Sequence, residues 1–178
     1  LDYVFKNEGG FANQKNDRGG ATNYGITIGT LSRWRGRKQN IEAVKRLTEN
    51  EACDIYRAWY WNPQNLDFIE SLPKAICMFD IGIVRGISIG SKYAQMVCNT
   101  LGSKLLVDGD IGPMSVEAIN AVDTTKFVLE YSKRAEQGFR NIVASNPTQK
   151  KFLKGWINRA VRLKTLANSD MTGIAGFD

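Results

Sequence analysis

Glu8, Asp17 and Thr22 are the residues whose types and spacing suit chemistry. Glu8 follows a short apolar run in which Leu1, Val4 and Phe5 sit at i, i+3 and i+4, the spacing of one helix face. It comes four residues after Val4 and three after Phe5, so it extends that face. A carboxylate on an apolar face is unusual, because burying a charge without a partner is costly. Burial also raises a carboxyl pKa, which a general acid needs. Gly9 and Gly10 follow at once, and glycines end helices and let backbone pass close to a ligand. The competing reading makes Glu8 the solvated end of a first helix. The next segment favours chemistry. Asp17 lies nine positions on, in a polar loop punctuated by glycine, and Thr22 lies five beyond it. Gly19, Gly20 and Gly25 break the chain around short polar and apolar residues. That pattern predicts a tight β-like excursion over residues 17–28 that returns Asp17 and Thr22 past the helix end.

The elements that must hold these residues are helical. A short helix with Leu31 and Trp34 is expected over 29–37, ending at Arg33, Arg35, Arg37 and Lys38. Asn40 is placed to cap a helix over 41–47. Thr48-Glu49-Asn50-Glu51 has the form of a capping box, before a helix that ends at Asn62-Pro63. Trp59, Tyr60 and Trp61 close that helix, and three consecutive aromatics cannot all face inward. Leu72-Pro73 opens a helix that is apolar nearly all round, expected to be the central buried one. Asp80 sits in its middle, either bonded to a neighbouring helix end or part of a site. Further helices are expected over 91–101, after Pro113, and from a Thr124 or Thr125 cap to Asn146-Pro147. Pro147 is expected to start the last one, which carries Arg159 within a mostly solvated basic face. About eight helices and one small β-like excursion make a mainly α fold, with no internal repeat.

Composition sets the limits. The chain has 178 residues, 43% hydrophobic and 24% charged, as in an ordinary globular protein. Its net charge of +6 fits a solvated basic surface or affinity for a polyanion, and charge alone does not separate nucleic acid from a bacterial wall. The aromatics do not form a nucleic-acid stacking motif. The absence of histidine removes Ser-His-Asp and Cys-His triads and histidine zinc sites. Cys53, Cys77 and Cys98 lie among apolar residues and read as small buried hydrophobes rather than a disulfide framework. Asp108-Gly109-Asp110 lacks the closing glutamate of a calcium loop and reads as a turn, so neither metal nor cofactor is expected. No signal peptide and no apolar run of membrane-spanning length is visible, so synthesis in the cytoplasm without stable membrane insertion is expected.

The run EGGFANQKNDRGGATNYGITIGTL, residues 8–31, resembles the opening signature of glycoside hydrolase family 108, muramidases of the lysozyme superfamily sometimes described as secretion activators. Its Glu, Asp, Thr order is also similar to the pattern of phage-type lysozymes. Val107-Asp108-Gly109-Asp110-Ile111-Gly112-Pro113 resembles a turn of peptidoglycan-binding modules, and Gly155-Trp156-Ile157-Asn158-Arg159 resembles a late family signature. The resemblance implies one lysozyme-like domain over 1–178, with a catalytic segment over 1–90 and a peptidoglycan-binding-like helical segment over 91–178. It implies cleavage of the β-1,4 bond of peptidoglycan, with Glu8 as general acid, Asp17 as second carboxylate and Thr22 holding water. Asn23, Tyr24, Trp59, Tyr60, Asp80 and Arg159 then become candidates for contact with substrate, an exposed aromatic stacking on a sugar ring. A phage enzyme of this kind reaches the wall through a holin. Lytic transglycosylase action and wall binding without turnover are the alternatives, and nucleic-acid binding is not expected.

Overall fold

The computed structural model describes residues 11–12 and 21–168. The expected first helix, with Glu8, and the Asp17 loop lie outside the described residues. The chain divides into two compact units, one ending at Trp59 and the other starting at Tyr60.

The first unit is built on a hairpin. β1 (Thr22–Asn23) and β2 (Ile26–Thr27) pair antiparallel, Thr22 opposite Thr27 and Asn23 opposite Ile26. Tyr24 and Gly25 both have positive φ, 51° and 74°, as a two-residue turn of type I′ requires. Ala12 bridges to the other edge of Thr22 through two backbone hydrogen bonds of 2.8 Å. Thr22 is thus the middle rung of a three-segment ladder.

Thr27 ends the hairpin and caps α1 (Ile28–Trp34), its hydroxyl accepting from the Thr30 N–H at 3.1 Å. Asn40 caps α2 (Ile41–Lys45), as the sequence predicts. Thr48 caps α3 (Glu49–Tyr56) by accepting from the Glu51 N–H at 3.2 Å. Only this half of the capping box is seen among the hydrogen bonds. The Glu51 carboxylate instead takes both Nε and Nη2 of Arg35, at 2.8 and 2.6 Å. Leu31, Val44, Ala52 and Ile55 fill the core of this unit.

The Arg35 hydrogen bonds hold the Glu51 pKa below its ordinary value of 4.5. A depressed carboxyl pKa contributes stability that is present above the ordinary value and lost as pH falls through the folded one. Glu51→Gln is therefore expected to cost about 1 kcal/mol at neutral pH and nothing at strongly acidic pH. Urea melts at a series of pH values check this. A pH-independent difference would mean the pair contributes packing rather than charge.

The second unit is a helical bundle. Trp61 is buried, donates to Asp67 at 2.8 Å and meets Phe79 edge-on at 5.4 Å. Short 3₁₀ turns lead to α4 (Leu72–Arg85), whose residues from Pro73 to Gly82 are all buried, so it is the central helix the sequence predicts. α5 (Ile87–Thr100) begins four residues before the expected Ser91. Gly86, at φ 89°, turns the chain with no loop, and the sequence pattern carries no sign of so short a connection. The two helices approach closely because Gly82 and Gly90 lack side chains. A Cβ on Gly90 would lie 3.1 Å from both the Gly82 nitrogen and the Met78 carbonyl, and one on Gly82 would lie 2.6 Å from the Gln64 amide. Gly90→Ala is expected to destabilise by about 2 kcal/mol, because backbone must move to admit the methyl. In a melting experiment that is a drop of roughly 4–8 °C. An unchanged midpoint would show that the contact relaxes freely.

α6 (Pro113–Ala121) starts at its proline as expected. The 22-residue α7 (Thr124–Ser145) is capped by Asp123 rather than by Thr124 or Thr125. The threonine hydroxyls are engaged elsewhere, Thr124 with Ser71 at 3.0 Å and Thr125 with the Ala167 carbonyl at 3.0 Å. The last helix, α8 (Lys150–Lys164), is preceded by a 3₁₀ turn over Pro147–Gln149, so Pro147 does not begin it directly. α7 turns Phe127, Val128, Tyr131, Ala135 and Phe139 into the core, against Ala160 and Leu163 of α8. Cys77 and Cys98 are buried as expected, and burial pushes the Cys98 thiol up to about 11, whereas Cys53 is only half-buried. Among the described residues no helix is long and apolar enough to cross a membrane.

Candidate active site

The hairpin gathers three of the candidates in the first unit. Thr22 is held on both edges, by Ala12 and by Thr27. Asn23 is buried, and its amide nitrogen donates to the carbonyls of Val44, Lys45 and Leu47 at 3.2, 3.4 and 3.4 Å. That side chain covers the C-terminal end of α2, where carbonyls lack helical partners. Tyr24 sits at the turn, and its carbonyl accepts from the Tyr56 hydroxyl at 2.9 Å. The hairpin is therefore fixed to the end of α2 by the Asn23 amide and to α3 by the Tyr56 hydroxyl.

The aromatic run is sorted by a change of helical pitch. Arg57–Trp61 winds as a π-helical turn after α3. Such turns carry an extra residue and are frequent at functional sites. Trp61 ends up in the core, while Trp59 and Tyr60 are half-buried. Trp59 meets Trp34 edge-on at 5.8 Å, and the Arg33 guanidinium lies 5.2 Å from its ring centroid. The sequence reading counts Trp34 only as an apolar helix residue and Arg33 only as part of a basic cluster. Their partnership with Trp59 needs the angle between α1 and α3, which no local pattern gives.

Asp80 and Arg159 are together in the second unit. Arg159 Nε lies 3.3 Å from Asp80 Oδ1, with side chains 16% and 3% exposed. The pair ties α8 to the central α4. A charge buried this deeply persists only with an opposite charge beside it. Arg85, at the C-terminal end of α4, lies over the Phe139 ring at 5.7 Å. Phe139 stacks on Trp156 at 5.5 Å, and Trp156 meets the exposed Phe152 at 5.7 Å. The sequence analysis names Trp156 only within the Gly155–Arg159 stretch and gives no sign of its row with Phe139 and Arg85, which helix packing creates. Among the described residues no three acidic, histidine or cysteine groups are placed to hold a metal.

Residues 1–86 match the family model described as Glycosyl hydrolase 108, and residues 89–161 match the one described as Predicted Peptidoglycan domain. A solved structure titled "Structure of Brucella abortus SagA" is similar, with 33% identity and a TM-score of 0.74, over 93% of this chain and 89% of that one. No curated protein matches this chain. The hairpin-and-bundle architecture, the two family models and this structural relative agree, and the chain belongs to the glycosyl hydrolase 108 family, as a glycoside hydrolase that acts on peptidoglycan.

Proposed function

We propose that the chain is a lysozyme-type muramidase, cutting the β-1,4 bond after N-acetylmuramic acid with Glu8 as the general acid. The observation that carries this reading is the double hydrogen bond between Ala12 and Thr22. Ala12 comes four residues after Glu8, and the bridge pairs two positions that flank Asp17 in the sequence. Four residues of chain span at most about 14 Å. The bridge thus supports a site in which Glu8, Asp17 and Thr22 share one small region of the first unit.

In this reading Glu8 protonates the leaving oxygen, and Asp17 orients water or stabilises the oxocarbenium-like charge. Thr22 holds the water. A separation of roughly 6.5–9.5 Å between the two carboxyls corresponds to inversion, and about 5 Å to retention. Tyr24 and Trp59 of the first unit, and Tyr60 and the Asp80–Arg159 pair of the second, are each candidates to meet sugar rings or their substituents. Asn23 holds the hairpin to the end of α2. The basic surface favours approach to an anionic wall. An endolysin delivered by a holin is the setting this chemistry suits.

Product mass from purified murein tests the reaction. A muramidase releases hydrolysed muropeptides with reducing ends. A lytic transglycosylase releases anhydro-muropeptides one water lighter, and wall binding with neither product would remove catalysis from the account.

A further inference from the structure

The second unit carries a groove of about 320 Å³ at the start of α6, walled by Leu105, Leu106, Asp108, Asp110, Pro113 and Met114. Its wall includes part of the Val107–Pro113 stretch that resembles a turn of peptidoglycan-binding modules, and it contains none of the candidate site residues of the preceding subsections. Leu106 and Met114 are 78% and 75% exposed, the most exposed large hydrophobic residues described. Asp108 and Asp110 project beside them, an acidic spot on a chain of net charge +6. Lys92 borders the same turn.

The groove is built rigidly. Gln95 of α5 is 1% exposed and organises the turn from below. Its amide nitrogen donates to Asp108 Oδ1, the Asp110 carbonyl and the Ser115 hydroxyl at 2.7, 2.9 and 3.3 Å. Its oxygen accepts from the Gly109 N–H at 2.9 Å. Gly109, at φ 87°, packs so close to Ser88 that a Cβ would lie 2.8 Å from its hydroxyl oxygen. Asp108 is kept ionised by the bonds from Gln95 and the Asp110 N–H, which lower its pKa. Such a wall needs little ordering on binding.

We infer that this groove binds the peptide part of peptidoglycan, seating a side-chain ammonium at Asp108 and Asp110 and small methyl-bearing residues against Leu106, Pro113 and Met114. The inference rests on peptidoglycan being the substrate. Charge selects the peptide over the glycan. Glycan strands carry N-acetylated, uncharged nitrogens, whereas the stem peptide carries a diamino acid. It also carries carboxylates, for which Lys92 is at hand. The groove then serves to hold the wall, while hydrolysis belongs to the other half of the chain.

The test is a titration of the whole chain, followed by NMR, with the tetrapeptide Ala-γGlu-Lys-Ala, the same peptide acetylated on its lysine, and chitotetraose as a peptide-free glycan. Peptide shifts are expected at Gln95, Leu106 and Met114, with chitotetraose leaving them in place. Asp110→Asn and Met114→Ser change exposed side chains and leave folding intact. Each is expected to weaken peptide binding roughly threefold or more, and lysine acetylation to weaken it more on the wild type than on Asp110→Asn, where Asp108 alone faces the ammonium. Absence of peptide shifts at the groove, equal binding of chitotetraose there, or variants that bind like wild type would each overturn the assignment. Release of reducing ends from sacculi by the wild-type chain is read in parallel. Release without peptide binding removes this groove alone. Peptide binding without release removes the hydrolase reading and leaves the groove.

Discussion

A Glu8→Gln chain is expected to fold as the wild type does and to release reducing ends from purified murein about 10²–10⁴-fold more slowly. The amide matches the carboxyl in size but has no proton to give at any working pH. The loss should fall on turnover rather than on wall affinity, because the missing interaction forms as the glycosidic bond breaks. The pH profile separates this role from a structural one. With the acid removed, residual activity should lose the fall on the alkaline side that marks a general acid giving up its proton. Asp17→Asn serves as the companion, expected to reduce turnover while keeping that alkaline limb. A Glu8→Gln chain within about threefold of wild type would place the acid elsewhere, since losses that small are below what proton transfer contributes.

Much of this architecture is written locally. Asn40, Thr48 and Pro113 announce helix starts through cap chemistry that acts within one turn, and each is found where the sequence places it. The apolar circumference of α4 likewise needs no partner to be read. Errors arise where a residue has two possible partners. Asp123, Thr124 and Thr125 all suit a cap, and Ser71 engages Thr124 while the Ala167 carbonyl engages Thr125, both far away in sequence. Glu51 suits a capping box until Arg35 competes for it. The site is less legible than the fold for the same reason. Asp80 and Arg159 are 79 positions apart and stand out in the sequence for different reasons, one as a charge in an apolar helix and one within a basic run. Trp34, Arg33 and Arg85 acquire their aromatic partners only through helix packing. Glu8 and Asp17 are named from the sequence alone, through the run over residues 8–31, and both lie outside the described residues.

Lys74→Met is expected to destabilise the second unit by about 2–4 kcal/mol. Lys74 is 2% exposed, which is rare for lysine. Its ammonium donates to the carbonyls of Ile119 and Val122 at 2.7 and 2.5 Å and approaches that of Asn120 at 3.5 Å. These are the unpaired carbonyls at the end of α6, where the helix dipole also favours a cation. Phe127 of α7 faces the same group at 5.9 Å. Desolvation lowers its pKa, so the buried charge is itself costly, and a methionine of similar length recovers part of that cost. What methionine cannot do is satisfy the carbonyls, and orphaned buried acceptors outweigh the recovered desolvation. Lys104→Met, at an exposed position, controls for the loss of one positive charge and should change the urea midpoint little. Because Lys74 links α4, the end of α6 and the start of α7, amide exchange should speed first in α6 and at the α7 N-terminus. A Lys74→Met chain as stable as the Lys104→Met control would show that the α6 end is satisfied without the ammonium, and the clamp would then be a consequence of packing rather than a cause of it.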